Sequence, residues 1–373
     1  IRGYGEVALN CLLESLNKGD NLANVPGLSW RNMDGAVIHN EVIAVEWNYD
    51  EFLPLDFSLL RSGIESYHKL SKMKNTKPTE ATFVIFTHFG CSYQDMVKKR
   101  KLNKSSIAHW CSYCSLDSGV SRRKGKDIVE EVLYTLRTTK ISKGSNVLLK
   151  CYGDNAGKQE EMLSDLANEI EASNEWKAYN IEWTFYMQSC FLLEKTAKIL
   201  RRIGTRNLFI GFDSADNRIQ KLNALGTSLQ THKRAIRICE ENGIRIQAGF
   251  VLGCAGETQD SIDNTLAFAG ELTLSSPLDR INAAVVVVIP GAPNYSLLCE
   301  KEPWLLKQDL MDVAEVRWNW VRHFCPDLGK TPADGLRILE DAANYLDDLS
   351  PGQHASMGFL SKRLKEEELL MLI

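Results

Sequence analysis

The sequence predicts an α/β fold, a partial (β/α)6 barrel with a short N-terminal remnant before it and a helical C-terminal extension after it. Three observations predict it. From Ala81 onward short β-rich runs alternate with longer amphipathic segments, the strand runs end on polar or glycine residues, and helix stops fall between the units. A doubly wound open sheet is the competing arrangement of the same units.

The strand runs are 82–88, 146–151, 181–188, 207–212, 244–252 and 282–289, and the helical patterns between them are 126–138, 159–170, 192–203, 229–242 and 261–272. Gly204 follows Leu200-Arg201-Arg202-Ile203, and Gly243 follows Glu240-Glu241-Asn242. A glycine placed just past the last periodic residue takes the left-handed conformation that ends a helix. Six units in series imply a parallel sheet with its working face at the strand C-termini. Three domains are expected, at 1–76, 77–300 and 301–373. The first reads as a helix over 6–16, a turn at Pro26-Gly27, a strand pair at 28–31 and 37–42, and a loop with Pro54. The last is mostly helical, and its Trp304, Trp318, Trp320 and Phe324 read as packing residues before substrate contacts.

With 373 residues, 44% hydrophobic and 25% charged, the chain can bury at least one large core. Its net charge of −4 provides no overall basic field, so nucleic acid is not an expected partner. The local run Lys98, Lys99, Arg100, Lys101 and Lys104 reads as a solvated loop, with a patch for an anionic partner as the alternative. No apolar stretch reaches the roughly 20 residues of a membrane helix and no signal-peptide pattern opens the chain, so a cytoplasmic, reducing location is expected. The chain opens at Ile1 instead of Met, and further sequence is expected upstream.

Cys111-Ser112-Tyr113-Cys114 places two thiols around an aromatic, and Cys91 ends an apolar run upstream. Three thiolates can hold a four-iron cluster with one iron left open to another molecule. A CxxC is also half of a structural zinc site, or a redox dithiol. Closed zinc sites want a second close pair of Cys or His, whereas Cys11, Cys151, Cys190, Cys239, Cys254, Cys299 and Cys325 are scattered singly.

Four segments then follow at strand ends: Phe89-Gly90-Cys91 with the CxxC, Tyr152-Gly153-Asp154-Asn155, Ile210-Gly211-Phe212-Asp213-Ser214, and Gly249-Phe250-Val251-Leu252-Gly253-Cys254-Ala255-Gly256-Glu257. In this order they resemble the radical S-adenosylmethionine enzymes, and within them the set that carries a B12-binding domain ahead of the barrel. The resemblance covers about 81–296. It implies a partial (β/α)6 radical-SAM barrel with a [4Fe–4S] cluster on Cys91, Cys111 and Cys114. The family places three residues between its first two cysteines, whereas nineteen separate Cys91 from Cys111, as an insertion in that loop would give. Such an insertion is tolerable, since each doubling of a loop costs only about 0.6 kcal/mol of closure entropy.

The resemblance further implies that S-adenosylmethionine is bound by Tyr113, by Gly153, Asp154 and Asn155 at its amino group, by Asp213 and Ser214 near the ribose and methionine portion, and by Gly249, Val251 and Gly253 at the adenine. Asp213-Ser214 could equally cap the next helix. Glu257 is expected to order its turn, and Ile289-Pro290-Gly291-Ala292-Pro293 to end the sixth strand. No catalytic residue is assigned by these motifs. Arg2–Leu9 and Val25–Arg31 look like the end of a B12-binding module, so cobalamin is implied as a third cofactor through sequence upstream. The implied activity is reductive cleavage of S-adenosylmethionine to a 5′-deoxyadenosyl radical, with C-methylation as its lead outcome. A small-molecule or peptide substrate and a one-electron donor such as flavodoxin or ferredoxin would be its partners. The alternatives are a cobalamin-independent radical enzyme and a non-catalytic metal-binding interaction protein.

Overall fold

In the computed structural model the described residues are 1, 5–41, 57, 80–100, 106–116, 120–275, 277–307 and 312–349. They fall in two compact units, Ile1–Phe52 and Leu53–Ile373. The side chains of the basic run, the expected loop at Pro54 and the stretch beyond Leu349 lie outside the described residues.

The first unit holds helix α1 (Gly5–Lys18) and an antiparallel pair, β1 (Ser29–Arg31) and β2 (Val37–His39), in the register Trp30↔Ile38. Asn32 closes the turn between them, its Oδ1 accepting the Ala36 amide at 2.8 Å.

In the second unit the strands β3 (Ala81–Ile85), β6 (Asn146–Cys151), β7 (Asn180–Gln188), β8 (Thr205–Asp213), β9 (Arg245–Leu252) and β10 (Leu278–Val285) form one parallel sheet in that spatial order. Strand order therefore follows chain order without reversal. A doubly wound sheet reverses at a switch point, so the arrangement is the half-barrel, and its six strands make a partial barrel.

Helices α3 (Gly125–Thr138), α4 (Glu160–Ala172), α5 (Glu194–Ile203), α7 (Leu229–Asn242) and α8 (Gln259–Ser275) connect successive strands. They bury one side of each strand: Phe83 and Ile85, Leu149 and Cys151, Trp183 and Phe185, Leu208, Ile210 and Phe212, Ile246, Ala248 and Phe250 belong to one core. Trp183 stacks between Trp176 and Phe185 at 6.2 and 5.4 Å. α5 stops at Gly204 (φ 88°) and α7 at Gly243 (φ 64°), as their sequences predict. α7 starts on Ser228, whose hydroxyl accepts the Thr231 amide.

The C-terminal helices α9 (Pro293–Lys301), α10 (Val313–Phe324) and α11 (Pro332–Asp348) complete the unit, with α11 against β10. Trp320 is buried, stacks on Phe324 at 4.3 Å and donates its indole N–H to Gly253 O at 2.8 Å, so its role is packing. No helix of the described residues is long and apolar enough to cross a membrane.

Three elements depart from the sequence pattern. β10 lies about four residues earlier than expected, because Val286 and Val288 prolong the apolar run but turn into a second cluster with Leu298 and Trp320. β3 ends at Ile85, since the chain kinks into a short antiparallel ladder, β4 (His88–Phe89) on β5 (Ser121–Arg122). Two short polar helices, α2 (Ser92–Arg100) and α6 (Asn217–Leu222), occupy stretches with no helical apolar period.

Candidate functional site

Because the sheet is parallel, the C-terminal ends of its strands open on one rim, and the loops there carry the three cysteines. Cys91 follows β4 after Gly90, and its backbone bridges Asn155, beyond the end of β6. The Asn155 side chain donates to Cys91 Sγ at 3.8 Å and to Gln188 Oε1 at 3.0 Å. Its own carbonyl oxygen accepts the Gly157 and Gln188 amides at 3.0 and 3.3 Å. Gln188, the last residue of β7, donates in turn to Cys111 Sγ at 3.9 Å and to Leu225 O at 3.3 Å. Two amides thus join Cys91 to Cys111.

The CxxC turn is closed by the Cys114 amide on Cys111 O at 3.1 Å and held from outside by Asn223. Asn223 O accepts the Ser112 amide at 3.0 Å, and its Oδ1 accepts the Ser112 hydroxyl at 2.8 Å and the Ala255 amide at 3.1 Å. Its Nδ2 donates to Ala255 O at 2.9 Å and Ile219 O at 3.1 Å. The side chain is fully buried, so it fastens the turn to the segment after β9.

Burial pushes the Cys111 thiol well above its ordinary range, and the charges of Asp213, Cys114 and Cys91 add to the effect. Cys114 is raised too, first by burial and then, among the charges, by Cys91. The three thiols therefore lie within electrostatic reach of one another, and their ionised forms call for a compensating positive charge. Among the described residues no three His, Cys, Asp or Glu side chains gather around a single point as one chelated ion requires. A four-iron cluster spreads its thiolates over different irons and is tuned by N–H donors to sulfur. Three soft donors with amide N–H neighbours fit such a group.

Beside the turn, the Tyr113 hydroxyl lies within electrostatic reach of the Asp213 carboxylate. Burial raises the Asp213 carboxyl to about 6, opposed by the Tyr113 hydroxyl, and raises the tyrosine as well, with the Asp213 charge second. Asp213 is held at φ 61°, in the left-handed region rare for a non-glycine residue, after a register shift between β8 and β9. A Cβ on Gly211 would sit 3.5 Å from its Oδ1, so the carboxylate folds back over that glycine.

The other residues singled out from the sequence divide. Asp154 accepts the Gly90 amide at 2.7 Å, so one of its oxygens fastens the Cys91 loop. A Cβ on Gly153 would come within 2.5 Å of His88 Nδ1, which makes glycine obligatory against that ring. His88 is buried, bonded to Thr87 Oγ1 at 2.9 Å, and driven by burial down to about 4, hence neutral. Ser214 follows the end of β8, and its buried hydroxyl is engaged inside the fold: it accepts the Asp216 amide at 3.1 Å and meets Thr265 Oγ1 at 3.3 Å, and Asp216 caps α6. Gly249 leaves room for the Phe209 ring, whose Cζ would lie 2.6 Å from an added Cβ. Val251 packs in the second cluster. Gly253 (φ 84°) gives its amide to Glu257 Oε2 at 3.3 Å, and Glu257 also accepts the Ser261 hydroxyl at 3.0 Å, which orders the turn as expected. Gln188, Asn223 and His88 were missed as site residues. Gln188 and His88 each had a signal, a polar residue at the end of a strand run, and Asn223 had none.

The family model described as the Radical SAM superfamily matches residues 108–269, which take in Cys111 and Cys114 but not Cys91. The matched stretch runs from the CxxC through the later strands of the half-barrel, and the class that this model describes uses a [4Fe–4S] cluster and S-adenosylmethionine as its cofactors.

Among individual relatives, it is 25% identical over 298 residues to the Uncharacterized methyltransferase PH0819 of Pyrococcus horikoshii, covering 78% of this chain and 56% of that protein. Its fold is similar to the radical S-adenosylmethionine methyltransferase TsrM from Kitasatospora setae, with a TM-score of 0.58, 17% identity, and 81% and 54% of the two chains covered. It is also similar to the cobalamin-dependent S-adenosylmethionine radical enzyme OxsB, with a TM-score of 0.59, 17% identity, and 82% and 45% covered. The chain thus spans about half the length of these relatives.

Proposed function

We propose that this chain is the barrel portion of a radical S-adenosylmethionine enzyme in which Cys91, Cys111 and Cys114 hold a [4Fe–4S] cluster, with residues 1–76 as a linker from an upstream module and 301–373 as an extension. The single observation that carries the proposal is the amide chain from Cys91 through Asn155 and Gln188 to Cys111, which links the distant first cysteine to the CxxC turn. When bound, the cluster supplies one electron that splits S-adenosylmethionine into methionine and a 5′-deoxyadenosyl radical.

The residues of the chain orient and enclose. Asn155 and Gln188 set the thiols and donate N–H groups to them. Asp154 holds the Cys91 loop through Gly90, and the Asn223 junction keeps the CxxC turn against the strand ends. Tyr113, Asp213, Gly153, Gly249, Val251 and Gly253 form the surroundings in which S-adenosylmethionine would lie. Ser214 is proposed only as a support of the Asp213 bend, given where its hydroxyl is spent. A flavodoxin- or ferredoxin-type donor would supply the electron.

The names of PH0819 and TsrM as methyltransferases, and of OxsB as cobalamin-dependent, support C-methylation through cobalamin as the outcome. The test is anaerobic reconstitution, expected to load about four irons. Cys111→Ala and Cys114→Ala abolish the loading, and Cys91→Ala does so too if the amide chain marks the third ligand. Full iron content with an unchanged spectrum in any of them refutes that assignment. A chain extended upstream should bind hydroxocobalamin and show corrin bands; without such bands the cobalamin-independent reading replaces methylation.

A further inference from the structure

One row of residues below the rim is not used by the thiol site. Register sets Tyr186 opposite Phe209, Phe209 opposite Gln247, and Gln247 opposite Arg280, so the row crosses β7 to β10 on the face turned away from the helices. At one end is an aromatic wall: the Tyr186 and Phe209 rings lie 4.9 Å apart, and Tyr152 lies 5.8 Å from Tyr186. At the other end is Arg280, half-buried and, among the described residues, without a carboxylate partner. Its neighbour Asp279 is already committed, to Arg245 at 3.2 Å, Asn207 at 3.2 Å and Gln247 at 3.1 Å. One step nearer the rim on β10, the half-buried Asn282 amide has no hydrogen-bond partner among the described residues.

The two ends of the row share one face of the sheet. Three strand spacings separate their backbones by about 14 Å, and the long Arg280 side chain brings its charge within reach of the Tyr186 hydroxyl. Arg280 and the aromatic wall thus flank one stretch of the face turned away from the helices. A guanidinium drawn out of water gains most from a bidentate carboxylate, and a planar ring gains from offset or edge contacts with the aromatic wall.

We propose that this row is a binding site for an aromatic carboxylate, its acid held by Arg280 with Asn282 and its ring laid on Tyr186 and Phe209. The inference rests on the radical-enzyme reading only in taking this face as the place where substrate sits. Its test is independent of that reading: equilibrium dialysis of phenylacetate and of its neutral counterpart phenylacetamide against the purified chain, with no reductant and no S-adenosylmethionine. Phenylacetate is expected to bind at least tenfold more tightly than phenylacetamide. Arg280→Gln should remove that preference, Arg280→Lys should keep part of it, and both should retain the wild-type circular dichroism, since among the described residues Arg280 holds no carboxylate partner whose loss would unfold the sheet. Asn282→Ala, expected to weaken phenylacetate binding severalfold, serves as the second variant. Equal affinity for the two probes, no binding of phenylacetate, or unchanged preference in Arg280→Gln overturns the proposal. A chain that loads no iron yet shows the preference overturns the radical reading and leaves this site standing.

Discussion

Asn223→Ala is the sharpest stability test of the site. Its side chain makes four buried hydrogen bonds, to Ser112 Oγ, the Ala255 amide, Ala255 O and Ile219 O, at 2.8 to 3.1 Å. Each is worth about 1 kcal/mol net, and each buried partner left unsatisfied costs about 1–3 kcal/mol. Two of the four partners are backbone groups of Ala255, in the turn after β9, and water does not readily reach them, because Asn223 is fully buried. The sum comes to about 3–5 kcal/mol of lost stability, the upper part of the range for a single substitution. Urea unfolding followed by far-UV circular dichroism measures it. Iron retained after anaerobic reconstitution reads the same loosening at the CxxC turn, where less than half of the wild-type content is expected. Asn223→Asp should cost at least as much despite its shape, because two carbonyls would then face a carboxylate. A loss below about 1 kcal/mol in Asn223→Ala, with normal iron, would show that Asn223 does not hold the turn.

Two further outcomes follow from the geometry. Burial raises Glu257 from 4.5 to about 7, against the Gly253 and Ser261 hydrogen bonds. An acid raised in the folded state stabilises fully below its unfolded pKa and loses that contribution as pH rises through the folded one, so wild-type stability should fall relative to Glu257→Gln between pH 4.5 and 8, by about 3 kcal/mol. Parallel denaturation curves at pH 5 and pH 8 check it, and a pH-independent difference between the two proteins would remove the assignment. Gly153→Ala should displace His88 or fail to fold at 37 °C, at a cost of about 1–3 kcal/mol for an overpacked site; a shift in the His88 imidazole NMR resonances reports the displacement, and an unperturbed ring with full stability contradicts the contact.

The half-barrel was legible because its strands are buried on their outer side and its helices end on glycines, two signals that act over a few residues. β10 slipped because Val286 and Val288 continue an apolar period while serving a different core. At the site, the CxxC was legible as spacing, and Glu257 as a turn-former at the right offset. The contacts of the two amides with the thiols were not: Asn155 meets Cys91 across 64 positions, and Gln188 meets Cys111 across 77, distances over which sequence shows no pairing. Asp154 was visible as a carboxylate, but its bond to the Gly90 amide depends on the fold bringing the two loops together.

The short ladder of His88–Phe89 on Ser121–Arg122 has a wider consequence. It fastens the departure and the return of the segment that carries all three cysteines, and Arg123 reinforces the seam through its amide on Thr87 O at 3.1 Å and its guanidinium on Phe86 O at 2.9 Å. Separation along the chain is thereby uncoupled from separation in space: residues can be added to or removed from the interior of that excursion while Cys91 stays beside Asn155 and the CxxC stays on Asn223. A cysteine-spacing rule written as a fixed count of residues would overlook such a protein, whereas one written on the seam and the two anchoring amides would find it.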